Sequence, residues 1–351
     1  MNSVSVILPV HNEESYISDT IGAIISQDYS GPVEIIVADG MSTDQTRSII
    51  RGFQEKNANI FLIDNPHKIV PTGMNLGLSQ ATGEIIVRVD GHTLIAPDYV
   101  RQCVEALQRS GADNVGGRMR AEGVSRFGQA VAVATSTPFG VGGSRFHYSD
   151  QEEWVDTVYM GAWPRRVFKE IGGFDEELVR DQDDEFNYRL RKHGGKILLS
   201  PKIQSRYTNR GSPKTLWRQY FQYGFYKVRV LQKHPRQMSV RQFIPPAFVL
   251  SILVSVLLSF LFPWGWIFPA MVLGAYLLIN LGVSVCTASR KGLKHIFLLP
   301  VCFAILHVSY GIGFLAGLWH FCNRWGDRVG RVPSVNKELG PPERIILGKL
   351  D

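Results

Sequence analysis

Residues 242–289 contain no Asp, Glu, Lys or Arg. A helix needs ~20 predominantly apolar residues to cross a bilayer core, so this run offers two spans, about 243–262 and 264–286, turning at Pro263. A third uncharged run, 296–321, follows the short basic loop 290–295. A helical pair buried in a soluble protein would carry a polar face at this length, and these runs carry none. The remainder of the 351 residues is enough for one α/β core of about 200–250 residues. The expected organisation is a first domain at 1–203, a connector at 204–241, transmembrane segments within 242–321 and a tail at 322–351.

The first nine residues lack a basic stretch leading into a long apolar region, so they do not read as a secretory signal, and the first domain is expected in the cytosol. Cys103, Cys286, Cys302 and Cys322 show no CxxC or metal spacing and are expected to be free, packed thiols. The net charge of +7 could suggest nucleic acid, but its placement argues against that partner. Ten Lys or Arg and no acid lie from Lys202 to Arg241, interleaved with Trp217, Tyr220, Phe221, Tyr223, Phe225 and Tyr226. Directly before a span, such a belt reads as an anchor for anionic membrane lipids. With the first domain inside, the positive-inside rule returns Arg290, Lys291 and Lys294 to the same side. A full third crossing would put Arg324, Arg328 and Arg331 outside, whereas Pro300, Gly311, Gly313 and Gly317 would let 296–321 break and return.

The first domain alternates strand and helix patterns. Residues 4–10 (VSVILPV) form a continuous β-branched apolar run, as in a strand covered on both faces of a parallel sheet. Helical spacing follows at 13–27, a strand at 34–38, a helix at 43–54 with a cap near Ser42, a strand at 60–63, a helix at 71–81 and a strand at 84–89. This implies a doubly wound, Rossmann-like α/β sheet, which gathers ligands at the carboxyl ends of its strands. Beyond a helix at 98–108 the pattern is less regular. The Gly-rich 140–143 reads as a turn, 166–171 and 183–192 as helices, and 196–200 as a last strand.

Three acidic positions fall where ligands belong. Asp39 ends the second strand, where a carboxylate can accept a hydrogen bond from a base or ribose. Asp90 ends the fourth, with His92 two residues on, so both could reach one divalent cation bridging a diphosphate. The cation is Mg²⁺ or Mn²⁺, since imidazole suits the latter. Asp181, Asp183, Asp184 and Glu185 open a helix, more acid than capping requires. Attack by a hydroxyl needs one ionised carboxylate to take its proton, and Asp183 is the candidate, with Asp184 and Glu185 as local alternatives and Arg189 as an orienting partner.

The segments VILPVHNEE, VADGMSTDQT, GMNLGLSQATGEIIVRVDGH, RRVFKEIGGFDEEL and DQDDEFNYRLRKHGGKI, in that order over roughly 3–203, resemble the GT-A domain of family 2 glycosyltransferases, in particular its bacterial exopolysaccharide branch. The resemblance implies that Pro9, His11, Asn12 and Glu13 line the nucleotide pocket and that Asp39 contacts the uracil or ribose. Asp90 would then be the first acid of the family's DxD metal motif, with His92 replacing the second. Gln182-Asp183 would match the Glu-Asp pair that supplies the base. The QxxRW motif of processive synthases is absent, and QYFQYG at 219–224 stands in its region, which implies addition of a single sugar. The expected enzyme is a multi-pass protein of the cytoplasmic membrane, with its catalytic domain in the cytoplasm. It would move a hexose such as glucose from a UDP-sugar to a polyprenyl-diphosphate-linked or other lipid-linked glycan. The competing expectation is a nucleotide-binding or nucleotidyltransferase-like membrane scaffold, which would not require the acidic cluster at 181–185.

Overall fold

The computed structural model describes residues 1–209, 211–236, 238–328 and 330–335. They form two compact units. The first comprises Met1–Arg118, Asp150–Ser205 and the chain from Gly330; the second comprises Met119–Ser149 and Arg206–Val329.

The first unit begins with β1 (Val4–Val10), all seven residues of which are buried, as expected of a strand covered on both faces. It is followed by α1 (Ile17–Ile25), β2 (Val33–Asp39), α2 (Thr46–Gln54), β3 (Ile60–Asp64), α3 (Val70–Gln80) and β4 (Ile85–Arg88). β1 pairs in parallel with β2, Val10 opposite Asp39, and with β4, Ile7 opposite Arg88. Val6, Leu8, Ile35, Val37 and Val87 form the core with Ile17, Ile21 and Ile50 of the helices. Each such side chain contributes about 1.5–3 kcal/mol on burial. The expected helix from Glu13 starts later, at Ile17: Asn12 has a left-handed φ of 55°, and the backbone N–H groups of Asn12 and Glu13 donate to the hydroxyls of Ser42 and Thr46, both at 2.8 Å. For the same reason Ser42 does not cap α2, whose N-cap is Gln45.

Next come β5 (Thr93–Ile95), α4 (Tyr99–Ser110) and β6 (Asn114–Glu122), which leads into α5 (Arg126–Thr135) and α6 (Pro138–Val141) of the second unit. The first unit resumes with β7 (Glu153–Trp154), β8 (Tyr159–Pro164), α7 (Arg166–Ile171), α8 (Gln182–Lys192) and β9 (Ile197–Thr208). The sheet order is β3-β2-β1-β4-β8-β6-β9-β5, with β7 on β9. The parallel, doubly wound pattern thus holds from β3 to β4, and beyond β4 the sheet is mixed, because β8 pairs antiparallel with both β4 and β6. Trp163 of β8 meets Phe168 of α7 and Phe186 of α8 edge-on at 5.6 and 5.8 Å, and Phe174 stacks on Phe186 at 4.6 Å. This buried aromatic cluster fixes α8 against the sheet.

In the second unit the basic belt forms α9 (Pro213–Lys233), whose N-cap Ser212 accepts from Thr215 N at 3.3 Å. Three candidate membrane spans follow: Val240–Ser259, most of which is α10 (Ile244–Ser259), then α11 (Ile267–Lys291) and α12 (Leu299–His320). All four cysteines are free; Cys103 and Cys302 are buried as expected, whereas Cys286 and Cys322 are exposed.

Candidate functional site

The carboxyl ends of β1, β2 and β4 carry the polar side chains of the first unit. At the end of β2, Asp39 is fully buried. Its Oδ2 accepts from Arg47 Nη1 at 2.6 Å and from Ser42 N at 3.0 Å, and Arg47 reaches on to Asp64 at 2.8 Å. Asp39 Oδ1 has no partner among the described residues. A buried carboxylate oxygen left unbonded costs about 1–3 kcal/mol, and a ligand N–H or O–H would recover it. Asn12 ties the next loop down, its side-chain oxygen accepting from Thr43 N at 2.8 Å. Pro9 is buried in β1, and His11 is exposed beside Gly40.

At the end of β4, residues i and i+2 share a face, so Arg88 and Asp90 lie side by side. Arg88 Nε donates to Asp90 Oδ1 at 2.8 Å, and its Nη1 donates to Asp183 Oδ1. One guanidinium therefore joins the acid ending the fourth parallel strand to the acid in the first turn of α8. Arg88 is nearly inaccessible, Asp90 has 16 % of its side chain exposed, and Asp183 has 37 %. Asp90 Oδ2 has a long contact with the Tyr159 hydroxyl at 3.4 Å, and that hydroxyl bonds Thr93 at 2.7 Å. Burial works to raise the Asp90 pKa, but the Arg88 guanidinium and His92 outweigh it and hold the carboxyl below the usual range. For Asp183 burial prevails: despite the opposing Arg88, and helped by the like charges of Asp90 and Asp184, its pKa is raised. His92 Nδ1 lies 3.0 Å from Glu13 Oε1, which brings together one residue expected at the nucleotide and one expected at the cation.

The other acids of the cluster have separate surroundings. Glu185, 2 % exposed, binds Arg189 through both oxygens at 2.9 Å. Arg189 also donates to the carbonyls of Ile171 and Gly173 and lies over the Phe186 ring at 5.2 Å. Arg189 thus orients Glu185 and the loop after α7, not Asp183 as the sequence reading had it. Asp184 lies toward Asp156, whose pKa is raised by burial and then by Asp184. Asn187 anchors α8 further, bonding Asn114 and Thr157 at 2.8 and 2.9 Å.

Among the described residues five non-glycine positions have positive φ: Asn12 (55°), Met41 (57°) and Lys68 (60°) follow the carboxyl ends of β1, β2 and β3, Met160 (60°) lies in β8 and Asp181 (62°) precedes α8. Met160 Sδ contacts Asp90 N at 3.4 Å, and Asp181 is the N-cap of the helix that carries Asp183. Strain concentrated in this way is characteristic of sites that hold functional groups in fixed positions. Arg88, Tyr159 and Arg47 were not singled out from the sequence. The signal for Arg88 was available, since a charge inside the apolar run EIIVRV must have a partner.

Comparison with known proteins agrees with this architecture. The chain is 29 % identical over 321 residues to the succinoglycan biosynthesis protein ExoA of Rhizobium meliloti, covering 91 % of this chain and 96 % of that one. It is also 29 % identical over 327 residues to a Methanococcus voltae dolichyl N-acetyl-alpha-D-glucosaminyl phosphate 3-beta-D-2,3-diacetamido-2,3-dideoxy-beta-D-glucuronosyltransferase, covering 91 % and 98 %. Among solved structures, a Pyrobaculum calidifontis mannosyltransferase determined with GDP-Man and Mn²⁺ shares the fold, with a TM-score of 0.58, 18 % identity, and coverage of 90 % of this chain and 87 % of that one. The model of glycosyl transferase family 2 matches residues 5–172, which hold β1 to β4 and the Asp39 and Asp90 positions, so the chain is similar to that family, with a GT-A-like domain followed by three long apolar helices.

Proposed function

We propose that this protein transfers a single hexose, such as glucose, from a UDP-sugar to a polyprenyl-diphosphate-linked or similar lipid-linked saccharide at the cytoplasmic membrane face, with inversion at the anomeric carbon. The observation that carries this reading is the pairing of Asp183 and Asp90 through one buried guanidinium, which fixes a partly exposed base relative to the acid expected at the donor diphosphate. The acceptor hydroxyl gives its proton to the Asp183 carboxylate while its oxygen bonds to the anomeric carbon. The bond from that carbon to the diphosphate oxygen breaks, and UDP leaves with the electron pair. A raised pKa strengthens Asp183 as a base, and its exposure leaves it open to the acceptor.

Asp39 Oδ1, buried and without a partner among the described residues, suits an N–H of the nucleotide base or a ribose hydroxyl, while Arg47 binds the other oxygen. Asp90 and His92 would hold a divalent cation. Among the described residues no group of three His, Cys, Asp or Glu is arranged as a metal site, which suits a cation that takes much of its coordination from a diphosphate. The 3.4 Å contact at Asp90 Oδ2 leaves that oxygen weakly engaged and able to serve as a ligand. When bound, the cation would neutralise charge developing on the leaving diphosphate.

The acceptor class draws on the basic belt and apolar helices here and on the name of the Methanococcus relative, a transferase acting on a dolichyl-linked sugar phosphate. The fold alone leaves the donor base open, since the Pyrobaculum structure holds a guanosine donor. The deciding experiment measures nucleoside diphosphate release from a panel of UDP- and GDP-sugars, with detergent-solubilised lipid-linked acceptor. Acceptor-dependent UDP release supports the proposal, and no acceptor-dependent release from any donor overturns it.

A further inference from the structure

We infer that α12, although long and apolar enough to span a bilayer, does not cross it: with α9 it forms a surface layer against anionic lipid headgroups, on the side of the membrane that holds the catalytic unit. Only α10 and α11 enter the bilayer. The inference is independent of the reaction proposed above.

Crossing number comes first. Residues 330–333 follow α12, yet they belong to the first unit. Gly173 N donates to Pro333 O at 2.9 Å, Glu176 N to Arg331 O at 3.0 Å, and Arg331 N to Asp175 Oδ1 at 2.9 Å. Asp175 is fully buried. One folded unit cannot be divided by a bilayer, so the chain between Ser205 and Gly330 crosses an even number of times. Three apolar helices therefore cannot all be crossings.

Packing within the second unit identifies the exception. In α10 only Pro246, Val249 and Ser255 are buried, and Leu250, Leu253 and Leu257 are exposed. In α11 the buried residues are confined to Asn280, Ser284, Thr287 and Ala288, and Met271 and Leu278 are exposed. These are faces made for lipid. In α12, by contrast, buried positions run from Leu299 to Gly317. Its second half lies against α9 at backbone contact: a Cβ on Gly313 would sit 2.1 Å from Phe221 O, one on Gly317 2.5 Å from Phe225 O, and one on Gly224 2.0 Å from Tyr310 O. α9 carries Lys214, Arg218, Lys227, Arg229 and Lys233 and no acid. Lys214 and Arg218 are exposed and would meet hydrocarbon in a crossing at high cost, which places α9, and the partner it lies along, outside the bilayer core.

The first half of α12 is covered by α5 and α6. Phe303 and Leu306 pack with Ala130, Val131 and Ala134, and His307 Nε2 lies 2.8 Å from Phe139 O. α6 has four residues and is flanked by non-helical chain, which is not tolerated against lipid at membrane depth. The link into α12 is held the same way, Lys291 Nζ bonding Ser136 O at 2.9 Å and Lys294 Nζ bonding Gln129 Oε1 at 3.2 Å. At the far end Asp327 pairs with Arg229 of α9 at 2.8 Å. Both ends and the middle of α12 are therefore tied to charged or irregular segments. In the second unit Arg206, Lys214, Arg218, Arg236 and Arg241 are exposed, as are Val301, Ile312 and Trp319 of α12, a basic and apolar set complementary to an anionic leaflet.

The test uses the full chain with its native cysteines replaced, reconstituted in sealed vesicles of known sidedness containing phosphatidylglycerol. Lys56→Cys marks the catalytic unit, Leu261→Cys the turn between α10 and α11, and Gly326→Cys, where a side chain meets nothing within 4 Å, the chain after α12. An impermeant maleimide should label positions 56 and 326 from the same side. Labelling of 326 from the side opposite to 56 overturns the inference. Nitroxides at Val301→Cys, Ile312→Cys and Trp319→Cys, all exposed, should report similar shallow depths. A crossing helix rising 1.5 Å per residue would place position 312 about 10 Å deeper than 319, and that result also overturns it. Replacing phosphatidylglycerol with phosphatidylcholine should reduce immersion at position 319 several-fold, and indifference to lipid charge overturns the headgroup assignment.

Discussion

The ends of β2 and β4 both present an aspartate to the same edge of the sheet, yet the two are held in opposite ways. Asp39 is sealed, with one oxygen bound by Arg47 and a backbone N–H and the other buried without a partner. Asp90 is open on one side and linked through Arg88 to a second acid, Asp183, that is more exposed still. A sealed acid can recognise a ligand but cannot meet a second substrate. A linked and open pair can hold charge at one end and receive a proton at the other. In the proposed reaction this contrast would separate donor recognition from transfer within one row of strand ends.

Mutation can break that separation or sharpen it. The largest effect is expected for Asp183→Asn, which keeps the shape and removes the base: turnover should fall ~10²–10⁴-fold with donor KM nearly unchanged. Steady-state kinetics within about threefold of the wild type would move the role to Asp184. Next is Asp90→Ala, expected to raise donor KM by about 100-fold and to abolish the response to added divalent cation, at or beyond the range seen for outer-shell partners of metals. Unchanged activity in chelator would remove the cation from the scheme. Arg88→Lys keeps the charge but loses the fork that spans two carboxylates, so about a tenfold loss in kcat at constant donor KM is expected. A loss confined to KM would place Arg88 on the recognition side. Asp39→Asn should do the reverse, raising donor KM about fivefold while sparing kcat, because one charge-assisted hydrogen bond is at stake. The smallest effect is expected for His92→Asp: activity within about threefold, with metal preference moved from Mn²⁺ toward Mg²⁺ because the site becomes oxygen-only.

How far the sequence could be read follows the same physics. β1, β2 and β4 were legible because strands buried on both faces must be unbroken apolar runs, and their ends led directly to Asp39 and Asp90. β6 and β8 were not. Asn114–Glu122 holds two adjacent glycines and two arginines, and a side chain at Gly117 would lie 1.6 Å from Ile203 O, a close approach that no local pattern announces. The acids of α8 were found as a group, but their division of labour was hidden. Glu185 and Arg189 at i,i+4 form a pair that spacing allows, while the partner of Asp183 comes from a residue 95 positions away. The basic belt was visible as charge, but its packing on α12 depends on glycines whose purpose appears only when two backbones meet.

The pairing of residues 330–333 with the loop at 173–176 also sets an order of events during synthesis. That loop is bonded through Gly173 O to Arg189, and Arg189 is clamped by Glu185 on the helix that carries Asp183. Ribosomes make the sheet first, then the apolar helices, and only afterwards the short segment that supplies the last hydrogen bonds to the loop at 173–176. Until that segment emerges, the Gly173 and Glu176 amides lack their acceptors. The loop that braces Arg189 beside the candidate site is therefore completed only after the apolar helices have been made.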